Sequence, residues 1–166
     1  MKYRLIIVLC LLNAIGCTQK QPLKEYDIPP PEEHYLDKNS DTQRYAFFVF
    51  DKKRDSYVFD KSYKPSTLSK EELKDIAGLI SKEVEAYNST TKGEKIIQPD
   101  KYYKQFIAVT NTKGEKEVWV NCSCRVMQEY WKTNISDVSD GGSCYFQLKI
   151  NLTTKRVLHF GVNGMA

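Results

Sequence analysis

Histidine is nearly missing from this chain: among 166 residues only His34 and His159 carry an imidazole. Two histidines so far apart leave little material for a histidine-rich metal centre, or for the Cys-His and Ser-His pairs of nucleophilic catalysis. A long apolar run is missing as well. The longest, Leu5 to Leu12, falls well short of the roughly 20 residues that span a bilayer core, so no permanent transmembrane segment is expected. Charge of one sign is also lacking: 25 basic residues stand interspersed with 21 acidic ones, without the clustered Lys and Arg of a nucleic-acid footprint. The carboxylates form no pair spaced for acid–base work. Asp140-Gly141-Gly142 is a turn signal without the Walker or Rossmann surroundings of a phosphate loop. Together these absences argue against an enzyme, a cofactor, a metal and a nucleic-acid partner.

What the chain does have begins at its N-terminus. Lys2 and Arg4 precede the apolar run, and Ala14-Ile15-Gly16-Cys17 follows it directly. A basic start, a short apolar stretch and small residues before a processing point are the parts of a secretory signal. Ala14-Ile15-Gly16-Cys17 resembles the lipobox of bacterial lipoproteins. That resemblance implies that residues 1–16 are a signal peptide, that Gly16 is its last residue, and that Cys17 is acylated on its thiol and on its new amine with palmitate-type chains. Each buried methylene contributes about 0.8 kcal/mol and two or more chains hold firmly, so the bilayer itself would be the first partner. By the same resemblance the non-acidic Thr18 favours the outer membrane, giving an envelope localisation.

The remaining 150 residues are the size of one domain. Residues 17–43 hold Cys17 and a polar stretch with Pro29-Pro30-Pro31 and no apolar period, which reads as an extended tether. Residues 44–166 form the folded part. Eleven Tyr and seven Phe suit a pleated sheet. Tyr45–Phe50 and Ser56–Phe59 flank the polar Asp51–Asp55 and predict a hairpin. Ser69 and Glu72 form a capping-box pattern ahead of Leu73, Ile76, Ala77, Ile80, Val84 and Tyr87, which predicts one amphipathic helix. Four strands follow as an antiparallel meander: Tyr103–Asn111, Lys116–Met127, Ser143–Leu152 and Arg156–Val162. The expected fold is α+β, one helix packed on an antiparallel sheet, with an element order like that of cystatin-type folds.

Strand parity sorts the side chains. Val118, Val120, Cys122 and Cys124 share one face with Cys144, Phe146, Leu148 and Ile150. In an oxidising compartment Cys144 is expected to pair with Cys124 or Cys122, the tighter loop favouring Cys124, and one thiol is left over. Zinc on the three thiols and His159 is disfavoured, because alternation turns His159 to the other face. That face presents Trp119, Asn121, Arg125, Tyr145, Gln147, Lys149 and His159, a mixture of aromatic, amide and charged groups suited to recognition. If the helix covers one side only, Trp119, Arg125, Tyr145, Lys149 and His159 form the candidate binding face.

The stretch from Gly114-Glu115-Lys116 through Cys144-Tyr145-Phe146 to Val162-Asn163-Gly164 resembles small bacterial envelope lipoproteins, a likeness that brings no catalytic residue. The expected function is a non-enzymatic, lipid-anchored binding or structural module whose partner is a protein, peptide or glycan. The alternative is an inhibitor or immunity lipoprotein that blocks a toxin or hydrolase through the sheet face or through the Gln128–Gly142 connection.

Overall fold

The computed structural model describes residues 42–126 and 130–164. The expected signal peptide, Cys17 and residues 17–41 of the tether lie outside the described residues. Helix α1 runs from Lys70 to Thr90 and starts where the capping box places it. The Glu72 backbone N–H donates to Ser69 Oγ at 3.2 Å, and the Ser69 N–H donates to Glu72 Oε2 at 2.8 Å. Two of the amide groups at the helix entrance are thereby satisfied, a device whose loss costs about 1 kcal/mol. Ile76, Ile80 and Val84 form its buried stripe.

That stripe lies on a six-stranded sheet. Its strands are β1 (Tyr45–Phe48), β2 (Lys64–Pro65), β3 (Tyr103–Thr110), β4 (Lys116–Ser123), β5 (Tyr145–Asn151) and β6 (Arg156–Val162). The order is β1-β3-β4-β5-β6, with β2 beside the far end of β3. β3 to β6 are the expected antiparallel meander. The molecule is thus α+β, one helix on a mixed sheet.

The N-terminal hairpin does not form. Tyr45–Phe48 pairs with Lys104–Ile107 and runs parallel to it. Parallel neighbours need a crossover of a dozen residues or more, usually a helix, and α1 is part of that crossover. Ser56–Phe59, expected as the second strand, is folded into turns instead. The reason is Asp55. Its carboxylate is fully buried, accepting from the Asp51 N–H at 2.8 Å and from Arg54 Nε at 2.6 Å and Nη2 at 2.8 Å. The Asp55 carbonyl takes the N–H groups of Val58 and Phe59, both at 3.0 Å. A buried carboxylate must be satisfied by such donors, and satisfying it coils the segment.

Under α1 the core contains Phe106, Ala108, Val118, Val120, Cys122, Phe146, Leu148 and Ile150. Lys104 enters this face as a buried cation, its Nζ donating to the carbonyls of Pro99 (2.9 Å), Asp100 (3.2 Å) and Tyr102 (2.9 Å). Cys124 and Cys144 form the disulfide, with Cα atoms 4.9 Å apart. Cys122 is the leftover thiol, completely buried, and burial pushes it up to about 12.

Candidate functional site

The opposite face of the sheet is covered at two places and open between them. At one end Ile107, Val109 and Trp119 meet Phe50 and Phe59 from the coiled segment, in a second apolar cluster that also takes in Val58, Tyr63 and Ile135. Phe50 and Phe59 stand edge to face, with centroids 5.9 Å apart. The β1–β2 connection therefore buries part of the face that α1 leaves uncovered.

The other covering is the connection between β4 and β5, and side-chain amides hold it. Gln105, Asn121 and Gln147 lie opposite one another on β3, β4 and β5. Asn121 Nδ2 donates to Gln105 Oε1 at 3.1 Å, and Gln147 Nε2 donates to Asn163 Oδ1 at 3.1 Å and to Asn121 Oδ1 at 3.4 Å. Gln105 and Asn121 reach the connection directly, and Gln147 does so through Asn163. Gln105 Nε2 donates to the carbonyls of Trp131 (2.6 Å) and Asn134 (2.8 Å), while Gln105 Oε1 accepts from the Ser136 N–H at 2.8 Å. Asn121 Nδ2 donates to the Ser136 carbonyl at 2.8 Å, and Asn163 Nδ2 donates to the carbonyls of Val138 and Asp140. Primary amides suit this task because each carries two donors and a two-lone-pair acceptor. The connection that sequence offered as an inhibitory loop thus lies along the sheet, tied to it through the described residues 131–140.

Between the two coverings is a cleft of about 510 Å³, within the range of small-molecule sites. Trp119, Asn121, Gln147, Lys149 and His159 line its floor, Tyr57 and Val58 one wall, and Ser136 to Ser139 with Asn163 the other. Trp119 is only 7% exposed and sits beneath Tyr57, which is 66% exposed and meets it edge to face at 6.0 Å. Partial desolvation, then the carboxylates of Asp55 and Asp137, hold the Tyr57 hydroxyl above its ordinary range.

Lys149 is committed to the protein. Its Nζ lies 3.2 Å from Glu117 Oε2, donates to the Val58 carbonyl at 3.2 Å, and stands 4.9 Å from the Phe59 ring centroid. Glu117 is buried, and its Oε1 accepts from Asn111 Nδ2 at 2.8 Å. One partner of a buried ion pair cannot be removed cheaply, so this lysine ties β5 to the coiled segment.

Of the five residues expected on the binding face, three, Trp119, Lys149 and His159, line the cleft. Tyr145 and Arg125 stand apart from it. Tyr145 is 3% exposed, and its hydroxyl lies 3.4 Å from Arg125 Nε. Gly141, at φ +90, crosses so close that a Cβ there would lie 2.7 Å from the Tyr145 ring. His159 is on the cleft face and Cys122 beneath α1, so the sheet separates imidazole from thiol. Sequence reasoning missed Gln105, Tyr57, Ser136, Ser139 and Asn163. Gln105 alone carried a signal, an amide at the head of the apolar run Phe106–Val109.

No helix among the described residues is long and apolar enough to cross a membrane. Compared with known proteins, the chain matches no family model, no curated protein and no solved structure.

Proposed function

We propose that this chain is a lipid-anchored, non-enzymatic binding module of the bacterial envelope, with its ligand seated in the cleft between the coiled segment and the β4–β5 connection. The observation that carries the reading is the cleft's lining. An exposed aromatic, Tyr57, stands over a floor of amides and an imidazole, on a surface made rigid by the amide ladder. Recognition sites combine aromatic contact area with a few fixed polar groups in this way. Catalysis is the weaker reading, since the one thiol and the one imidazole of the domain are on opposite faces and nucleophilic chemistry needs them in hydrogen-bonding reach. The anchor rests on the lipobox-like Ala14-Ile15-Gly16-Cys17.

The test is photo-crosslinking in cells that export the full chain. A photoreactive aromatic amino acid in place of Tyr57 should give a saturable adduct, and the same group in place of exposed Lys82 on α1 should not. Equal labelling from both positions, or none from position 57, contradicts the reading.

A further inference from the structure

We propose that the occupant of the cleft is a neutral saccharide; this rests on the cleft being the binding site. Three features of the lining carry the assignment. The first is charge. Lys149 is the only lysine among the described residues that line the cleft, and its ammonium is neutralised by Glu117 at 3.2 Å and turned toward Phe59 and the Val58 carbonyl. What remains facing the cleft is one carboxylate, Asp137, and one imidazole, His159. An anionic ligand would meet no unpaired lysine or arginine there, and a strongly cationic one would meet a single carboxylate.

The second is the number and kind of open polar groups. The residues that line the cleft bring to it the Tyr57, Ser136 and Ser139 hydroxyls, the Asp137 carboxylate, the Gln147 side-chain Oε1 and the His159 imidazole. None of these six groups has a hydrogen-bonding partner among the described residues. They mix donors and acceptors around one space. A ligand that meets such a mixture needs many groups that each donate and accept, which describes the hydroxyls of a sugar ring. Tyr57 adds an exposed aromatic surface for the ring's C–H face.

The third concerns the backbone. Extended peptides bind by adding to a free strand edge, but four of the five floor residues stand on β4 and β5, which are paired on both sides, and only His159 stands on β6, the strand that ends the sheet. The β4–β5 part of the floor offers side chains alone, which favours a ligand read through its own hydroxyls over one read through its main chain.

The experiment is calorimetric titration of the full chain with five probes: maltotriose, cellotriose and triacetylchitotriose as neutral saccharides, trigalacturonate as an acidic one, and trialanine as a peptide. At least one neutral trisaccharide should bind. Tyr57→Ala and His159→Ala should each weaken that binding by about tenfold, the size of one aromatic or hydrogen-bonded contact, with the circular dichroism of the fold unchanged. Failure of all three neutral saccharides overturns the assignment. If trialanine or trigalacturonate binds instead and Tyr57→Ala abolishes it, the saccharide is wrong and the cleft stands. If a saccharide binds but neither substitution weakens it, the site lies elsewhere and both readings fall.

Discussion

Asn121 Nδ2 lies 3.1 Å from Gln105 Oε1, across the β3–β4 register, and 2.8 Å from the carbonyl of Ser136, fifteen residues further along the chain. One amide thus joins two strands and fastens the connection that leaves the second of them. The cleft exists because this fastening stops where it does, leaving Gln147 and His159 open between the 131–140 segment and Tyr57.

Gln105 is the centre of that arrangement, with four hydrogen bonds to Trp131, Asn134, Ser136 and Asn121. Gln105→Ala leaves their buried groups without partners, each costing about 1–3 kcal/mol where water cannot replace the bond. The expected loss is about 2–3 kcal/mol in denaturant unfolding. Hydrogen exchange should show the Ser136 amide losing protection while Val120, in the middle of β4, keeps it. Equal loss at both amides would mean that Gln105 supports the whole sheet instead of the cleft wall.

Some of this was legible beforehand. Ser69 and Glu72 announce the helix start because capping is a local interaction three residues wide. Trp119, Lys149 and His159 fall on one face because alternation in a strand is strict. The parallel pairing of β1 was not legible, since it joins Tyr45 to Lys104 across a helix, while a local hairpin partner at Ser56–Phe59 satisfied the same pattern. What broke the tie was the burial of Asp55, a tertiary event no spacing encodes. The coverings of the cleft were hidden for the same reason: Tyr57 and Ser136 meet the sheet only after both connections fold back.

The disulfide closes a loop of 20 residues between Cys124 and Cys144, a length for which loop-closure entropy gives about 3 kcal/mol. The pair Cys124→Ser and Cys144→Ser should lose about that much stability, with α1 and the sheet intact by circular dichroism. Because the loop contains the cleft wall, proteolysis should begin between residues 125 and 143. First cleavage in α1 would contradict this.

Cys122 predicts a pH effect with a definite sign. Burial raises the folded thiol from 9.0 to about 12, so between these values the unfolded chain releases a proton that the folded chain keeps. A group that binds fewer protons when unfolded makes stability fall as pH rises. Stability should therefore decline from about pH 9 upward, and Cys122→Ala should flatten that decline relative to the native chain. The native thiol should also resist a thiol reagent at pH 8 and react once the chain is denatured. Rapid reaction in the folded state would show that the site opens.

The proposed anchor is tested by metabolic labelling with a fatty acid. Cys17→Ala should abolish incorporation and release the domain from the membrane fraction. Label retained after the substitution would place the acyl groups elsewhere.

The central claim is that ligand binds in the cleft on the sheet face away from α1, and amide chemical shifts of the full chain, titrated with fractionated envelope material, test it most directly. The account predicts that one fraction moves the resonances of Tyr57, Asn121, Gln147 and His159 together in a saturable way, leaving Lys82 and Glu85 on the outer side of α1 unmoved. Saturable shifts confined to α1 or to the β1 edge, with the cleft resonances still, would contradict it.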